Sequence, residues 1–272
     1  MLPEIDQIHL GYVAAVAFDP LFTRRQRKEL SAMTDAIYTE IGDDSDFVAV
    51  GSALPSIYRE ASFEEFRDGH YFHYIPAGVD RARPAPTLVF LHGSGGNFKA
   101  YIWLLSKMAD KLGFIVIAPS FGLGNWEKKG GYKAITNALA DAGKHAAIDP
   151  ENIHLMGLSN GGKGLCLAES APGPKFRSLI FLSAVLHDRI APAELASRLQ
   201  QRRMLILSGG SDDRVPWDYV SIYAEKLKAE GMEVTLHRFE GEDHFLFFRR
   251  RSEVVAKVAD WLDSFPRTNG PP

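Results

Sequence analysis

The stretch that decides the fold is Ile153-His154-Leu155-Met156-Gly157-Leu158-Ser159-Asn160-Gly161-Gly162. Its first half is apolar and typical of a strand, and the following residues Lys163–Ser170 are typical of a helix. Gly-x-Ser-x-Gly at a strand-to-helix turn is the signature of a nucleophile elbow, in which glycines leave room around a serine held in a strained conformation. The sequence therefore predicts Ser159 at the carboxyl edge of a sheet and at a helix N-terminus, where developing negative charge is favoured. A glycine-rich turn with an incidental serine is the alternative.

Composition sets the broad class. Of the chain's residues, 46% are hydrophobic and 24% charged, as in an ordinary globular protein. The length of 272 residues is enough for one large α/β domain or two small ones. A net charge of -3 provides no basic surface for nucleic acid or for a membrane. The single cysteine excludes an intramolecular disulfide and a Cys-based zinc site, and it favours a reducing compartment.

The N-terminal residues do not read as a secretion signal. Ala15-Val16-Ala17 resembles a signal-peptidase site, but the residues before it include Glu4 and Asp6 and no Lys or Arg. We therefore expect Leu10–Phe18 to be a buried segment and the protein to be cytoplasmic, with secretion less favoured. No apolar run reaches the roughly 20 residues that a membrane span needs.

Three regions are predicted along the chain: a helical extension over 1–60, a catalytic domain over 61–265 and a flexible tail over 266–272. In the extension, Pro20–Ile41 is a predicted helix with Leu30, Met33 and Ile37 on one face. That face fits docking on the main domain, covering of the active-site mouth, or pairing with a second subunit as a homodimer, and the sequence leaves these alternatives open.

After residue 63, strands alternate with helices, which predicts a mostly parallel sheet covered on both faces and little or no cap. The predicted strands are His70–Ile75, Thr87–Leu91, Phe114–Ala118, the strand leading to the elbow, Ser178–Ser183, Met204–Leu207 and Glu233–Phe239. The predicted helices are Tyr101–Leu112, Tyr132–Ala146, the elbow helix, Pro192–Leu199, Tyr219–Glu230 and Glu253–Phe265.

A serine nucleophile needs a base, and the base needs an orienting acid. Two adjacent aspartates, Asp212 and Asp213, follow one predicted strand, and His244 follows the last. We predict Asp212 as the acid, because it lies in a Gly-x-x-Asp arrangement after its strand, and a turn role for Asp213. Serine, aspartate and histidine then occur in the order that α/β sheets with this elbow use.

An acyl-transfer site also needs donors for the oxyanion. We predict one from the backbone N–H of Asn160 and one from the loop after Thr87–Leu91, at Ser94 or alternatively Gly95. In the same loop, His92 is predicted to be structural. Three loop aromatics are candidates to line the substrate pocket, against ordinary loop packing as the alternative: Trp126, Trp217 and Phe245.

Other chemistry finds little support in the sequence. Cys166 falls within the elbow helix and is predicted to be a small core residue. No His-Glu-x-x-His motif or paired Cys/His spacing points to a metal. A serine-based site requires no cofactor.

Four segments together resemble the α/β-hydrolases, over residues 63 to 265: His92-Gly93-Ser94-Gly95-Gly96, Gly157-Leu158-Ser159-Asn160-Gly161, Asp212 with Val215-Pro216, and His244. The elbow sequence is similar to those of polyhydroxybutyrate-depolymerase-like and feruloyl-esterase-like enzymes and of dienelactone-hydrolase-type enzymes. The last group uses a cysteine nucleophile where this chain has serine. The resemblance implies an α/β-hydrolase fold and a serine esterase.

The sequence thus predicts a carboxylic ester hydrolase that works through an acyl-enzyme on a small-molecule ester. A peptidase or thioesterase on the same three residues is the first alternative. A lyase or C–C hydrolase, and a non-catalytic binding protein of the same fold, are less favoured.

Overall fold

One seven-stranded sheet organises the chain in this computed structural model, which describes residues 2–63, 69–168, 175–186, 192–199 and 202–266. The strands are β1 (Tyr71–Tyr74), β2 (Ala85–Leu91), β3 (Ile115–Pro119), β4 (Ile148–Leu158), β5 (Ser178–Leu182), β6 (Arg203–Gly209) and β7 (Val234–Phe239). The helices are α1 (Glu4–Phe18), α2 (Arg24–Gly42), α3 (Leu54–Phe63), α4 (Lys99–Leu112), α5 (Gly131–Ala142), α6 (Gly161–Ala168), α7 (Pro192–Leu199), α8 (Trp217–Ala229), α9 (Leu246–Arg249) and α10 (Arg251–Asp263).

The strand order is β1-β3-β2-β4-β5-β6-β7. β1 pairs antiparallel with β3, and the pairings from β3 through β7 are parallel. This confirms the predicted α/β class with a mostly parallel sheet. The parallel strands all end at one edge, so the loops that follow β2, β4, β6 and β7 lie together there.

The sheet is buried on both faces because alternate side chains enter two different cores. On β2, Leu88 and Phe90 belong to one apolar cluster, whereas Val89 and Leu91 belong to the other. This alternation follows from the two-residue period of a strand, and it explains why the sequence of β2 is apolar without a break.

The N-terminal helices pack on this framework. Thr23 caps α2 in a reciprocal arrangement with Gln26, and Leu30, Ile37 and Ile41 are buried along the face that the sequence predicted. These three residues join the same core cluster as Phe90. The boundary predicted between residues 60 and 61 falls inside α3.

Helix α1 corrects the expectation that Leu10–Phe18 is buried. Ile8 is buried, but Leu10, Val13 and Phe18 on another face are exposed. The segment is apolar around most of its circumference, so the sequence carried no helical period to reveal which face turns inward.

Glu4 fixes the start of α1 to the main domain. Its Oε1 accepts a hydrogen bond of 3.1 Å from the backbone N–H of Lys99, in the first turn of α4. A carboxylate is favoured there by the helix dipole, yet burial dominates and raises the pKa of Glu4 to about 7.

None of the helices in the described ranges combines the length and apolar character that a membrane crossing requires. Residues 267–272, which make up the predicted tail after Pro266, and the end of the predicted helix at 169–170 lie outside the described residues.

Because α2 shares the main core, shortening one of its buried side chains should destabilise the whole domain. We expect Leu30→Ala to lower the free energy of unfolding by about 2–5 kcal/mol, since Leu30 is only 1% exposed. The matched change Leu10→Ala, at a position that is 59% exposed on α1, should alter it by about 0.5 kcal/mol or less. Urea unfolding of both variants measures the difference, and equal effects would show that α2 docks loosely.

Candidate active site

The backbone on either side of the turn between β4 and α6 is too crowded for a side chain at Gly157 or Gly161. A Cβ added at Gly161 would lie 2.3 Å from the carbonyl oxygen of Leu91, and one at Gly157 would lie 2.6 Å from the carbonyl carbon of Gly161. Ser159 itself has a φ of 51°, in the left-handed region that costs a non-glycine residue free energy. Its backbone N–H donates to the carbonyl of Leu182 on β5 at 3.1 Å, which anchors the strained residue to the sheet.

A chain of two hydrogen bonds joins three loops at this edge. Ser159 Oγ lies 2.9 Å from Nε2 of His244, which follows β7, and Nδ1 of the same ring lies 2.9 Å from Oδ2 of Asp212, which follows β6. When Nδ1 carries the proton and donates it to the carboxylate, Nε2 is free to accept the serine proton. The three residues that the sequence singled out are thus brought together in a geometry suited to general-base activation of Ser159.

The carboxylate of Asp212 is fixed on its other side. Its Oδ1 accepts hydrogen bonds from the backbone N–H groups of Arg214 and Val215 at 2.9 and 2.8 Å, and its side chain has no exposed surface. Two backbone donors therefore hold the carboxylate of Asp212 in one orientation. Asp213, the competing acid, is exposed.

The loop after β2 lies directly against the serine. A Cβ at Gly93 would be 3.0 Å from Cβ of Ser159, so only glycine fits without displacement. Beside it, the side-chain amide of Asn160 donates to Oγ of Ser94 at 2.8 Å and ties this loop to the elbow. Gly95 adopts a φ of 99°. The residues predicted to supply oxyanion donors therefore surround Ser159, and Ser94, Gly95 and Asn160 share a cavity with it.

His92 holds the same loop from beneath. Its Nδ1 lies 2.8 Å from the carbonyl of Gly93, and its Nε2 accepts from the backbone N–H of Phe121 at 3.2 Å. These partners require a neutral ring protonated on Nδ1. Complete burial lowers the pKa of His92 to about 4. The neutral ring thus stabilises the loop from within, in keeping with the structural role predicted for it.

Ser159 and His244 open onto a cavity of about 430 Å³. Helix α1 supplies much of its wall, through Ile8, Gly11, Tyr12, Ala15 and the following Asp19. Aromatic side chains supply much of the rest: Phe22, Tyr58, Phe98, Tyr101, Phe245, Phe247 and Phe248. The cavity is in the size range of sites for small molecules.

Sequence reasoning missed most of this wall. Phe247 and Phe248 could have been found, because they follow the candidate histidine by a few residues. No local signal could connect α1 with the elbow, since the two are far apart in the chain and α1 lacks an apolar period. Two of the three alternatives for the extension are therefore found together: it docks on the main domain, and its first helix covers part of the active-site mouth.

Of the three predicted pocket aromatics, only Phe245 lines the cavity. The prediction was wrong for Trp126, which is 2% exposed and donates from Nε1 to the carbonyl of His92 at 2.8 Å. It was also wrong for Trp217, whose half-buried ring at the start of α8 lies 5.0 Å from the guanidinium of Arg238. A loop sequence does not show whether an aromatic ring points toward the core, the surface or the site.

Cys166 is fully buried in the core behind α6, as predicted. Within the described ranges, no cluster of three or more His, Cys, Asp or Glu side chains is arranged to hold a metal ion.

Comparisons with known proteins agree on the fold. The profile of the Prolyl oligopeptidase family matches residues 183–266, a stretch that includes Asp212 and His244. No curated protein sequence matches the chain significantly. The structure of Est1E from Butyrivibrio proteoclasticus superposes with a TM-score of 0.55 at 15% identity, over 72% of this chain and 94% of that one.

Two other esterase structures are similar to the same extent. Est2 of Thermogutta terrifontis gives a TM-score of 0.57 at 20% identity, over 75% of this chain and 91% of its own. Esterase PE8 gives 0.54 at 19% identity, over 71% and 99% of the respective chains. At such identities the likeness establishes the fold: this chain has the α/β-hydrolase fold that the four sequence segments predicted.

The geometry distinguishes sharply between the two adjacent aspartates. We expect Asp212→Asn to lower kcat by roughly four orders of magnitude on any substrate that the site turns over, because an amide cannot hold the His244 ring in the required tautomer. Asp213→Asn is the matched control and should leave kcat within about twofold, as its side chain is exposed. Steady-state kinetics test both; a large loss in Asp213→Asn would reverse the assignment.

The buried neutral ring of His92 predicts acid sensitivity. In the folded protein the pKa of His92 is about 4, below the usual value of 6.5. The neutral ring therefore contributes its full stabilisation above pH 6.5, and this stabilisation is lost as the pH falls toward 4. Between about pH 7 and about pH 5 the loss is about 2 kcal/mol. His92→Gln cannot titrate, so the stability gap between wild type and variant should shrink by about that amount. Denaturant unfolding at both pH values measures the gap, and a constant gap would contradict the prediction.

Proposed function

We propose that this chain is a carboxylic ester hydrolase that forms an acyl-enzyme on Ser159. The observation that carries the proposal is the hydrogen-bonded chain from Ser159 through His244 to Asp212, at a strained elbow that lies in a largely apolar cavity. A strained serine costs free energy, and the fold retains it beside a base and a substrate-sized space.

The proposed reaction follows from the positions of these atoms. Ser159 Oγ attacks the ester carbonyl while Nε2 of His244 takes its proton and then returns it to the departing alkoxide. Asp212 holds the ring and stabilises the imidazolium that forms. Backbone N–H groups of Asn160 and Ser94, with Gly95 as the alternative to Ser94, stabilise the oxyanion. Water, deprotonated by His244, releases the acid and regenerates the serine.

The cavity favours a small ester with an apolar acyl or alcohol group. Aromatic side chains dominate its wall, and α1 forms one side of it. Structures of two similar proteins contain small acids: Est1E has been seen with ferulic acid and Est2 with butyrate. These ligands agree with the size of the present cavity.

A peptidase is the second candidate, because the Prolyl oligopeptidase family profile covers both the acid and the histidine loops. The triad itself acts on either bond. An ester is favoured because a cavity of about 430 Å³ has the size of a small-molecule site.

We also propose a cytoplasmic location for the protein, in keeping with its single buried cysteine. A homodimer remains our proposal for its assembly, and the exposed apolar side chains of α1 are the surface that favours it. As a division of the chain we propose an N-terminal helical extension over residues 1–60, the catalytic domain over 61–265 and a flexible tail over 266–272.

Hydrolysis of p-nitrophenyl esters by the wild type and by Ser159→Ala tests the esterase. We expect serine-dependent turnover that is faster for butyrate and octanoate than for palmitate, because a long chain exceeds a cavity of about 430 Å³. Ser159→Ala should lose activity by about 10³-fold or more.

A proline-containing peptidyl p-nitroanilide, assayed in parallel, distinguishes a peptidase from an esterase. A fluorophosphonate label on Ser159 reports whether the serine is activated. Labelling with peptide turnover and no ester turnover favours the second candidate, whereas absence of both labelling and turnover contradicts a hydrolase.

A further inference from the structure

We propose that the substrate of this site carries a carboxylate in addition to its ester, and that Arg214 recognises it. The inference rests on the proposed esterase and names its substrate class. Arg214 lines the cavity together with Ser159 and His244, and its backbone N–H is one of the two that fix Asp212. Its side chain has no task in the proposed mechanism.

The guanidinium of Arg214 is only partly paired. Its Nη1 lies 2.7 Å from Oδ2 of Asp19, the residue that follows α1. The other oxygen of this carboxylate, Oδ1, accepts a hydrogen bond from the backbone N–H of Leu21. Nε and Nη2 of Arg214 are buried and have no hydrogen-bond partner among the residues that the structure describes. Leaving charged donors buried and unpaired costs more free energy than almost any other polar arrangement.

The two unpaired atoms form one edge of the guanidinium. Nε–H and one Nη2–H point the same way, which is the fork that binds the two oxygens of a carboxylate side by side. Asp19 already occupies Nη1. The vacant edge therefore matches a second carboxylate, and Lys at this position would not provide the same fork.

One aromatic ring separates the guanidinium from the reaction centre. The guanidinium lies 5.6 Å from the ring centre of Phe245, and that ring lies 5.7 Å from the ring of His244. Arg214 is the one arginine or lysine and Asp19 the one carboxylate among the described residues that line the cavity. Both nitrogens are covered in this conformation, so binding includes a small rotation of the Arg214 side chain about its contact with Asp19.

The substrate class that follows is a half-ester: an apolar portion that fits the aromatic wall, with a carboxylate at the end distant from the scissile bond. Tyr101 and Phe247, whose rings are parallel with centres 6.0 Å apart, provide the apolar surface for the first part. Arg214 provides the charge for the second.

The test compares the p-nitrophenyl half-ester of adipic acid with p-nitrophenyl heptanoate, a neutral ester of similar length. The quantity measured is the ratio of their kcat/KM values after subtraction of the rate without enzyme. Arg214→Gln should lower this ratio about tenfold to a hundredfold, because a charge-assisted forked pair is lost. Asp19→Asn should raise it about two- to fivefold, because the competing internal carboxylate is removed.

Two outcomes overturn the proposal. Either Arg214→Gln leaves the ratio unchanged, or Asp19→Asn lowers it as Arg214→Gln does, which would make the pair a structural tie between α1 and the acid loop. Turnover of the heptanoate by the wild type reports on the proposed esterase separately from the ratio.

Protection from the fluorophosphonate label gives a readout that needs no turnover. Free adipate should slow labelling of Ser159 in the wild type and have a clearly weaker effect in Arg214→Gln. Equal protection of both proteins would overturn the role of Arg214 even if the esterase itself failed.

Discussion

The close crossing of the elbow and the loop after β2 is the constraint on which the rest of the site depends. The backbone at Gly161 passes so near the carbonyl of Leu91 that even one methyl group would collide with it, and Gly93 meets Ser159 in the same way. Neighbouring strands of a sheet lie about 4.8 Å apart, so a serine at the end of β4 can touch the loop after β2 only when side chains are missing between them. The strain at Ser159 and the contact with the loop of Ser94 both arise from this proximity.

A second layer of contacts connects this edge with the N-terminal helices. The rings of Tyr12, Phe22 and Phe245 follow one another at 5.9 and 5.7 Å, from α1 to the residue after His244. Aromatic contacts at these separations favour tilted or edge arrangements, which fix the relative orientation of the rings. The histidine is thus positioned by Asp212 on one side and, through Phe245, by the extension on the other.

The sequence was sufficient to predict the sheet and to predict that Asp212 and His244 meet Ser159 at its edge. Parallel strands bring their carboxyl ends to one edge, so polar residues placed just after strands meet in space even when they are far apart in the chain. The same reasoning failed for Trp126, because a long loop can turn a ring inward, and the carbonyl of His92 offered its indole a buried partner. It failed for α1 because an all-round apolar helix shows no preferred face.

The wall of the cavity and its catalytic edge come from different parts of the chain. Residues 4–19 provide Ile8, Tyr12 and Asp19 to the space in front of Ser159, yet none of these residues belongs to a strand of the sheet. The residues that shape the pocket therefore lie largely in a different segment of the chain from Ser159, Asp212 and His244. Sequence change in α1 at positions other than Tyr12, whose ring contacts Phe22 and through it Phe245, can broaden, narrow or recharge the pocket during evolution while the strained serine and its partners stay as they are.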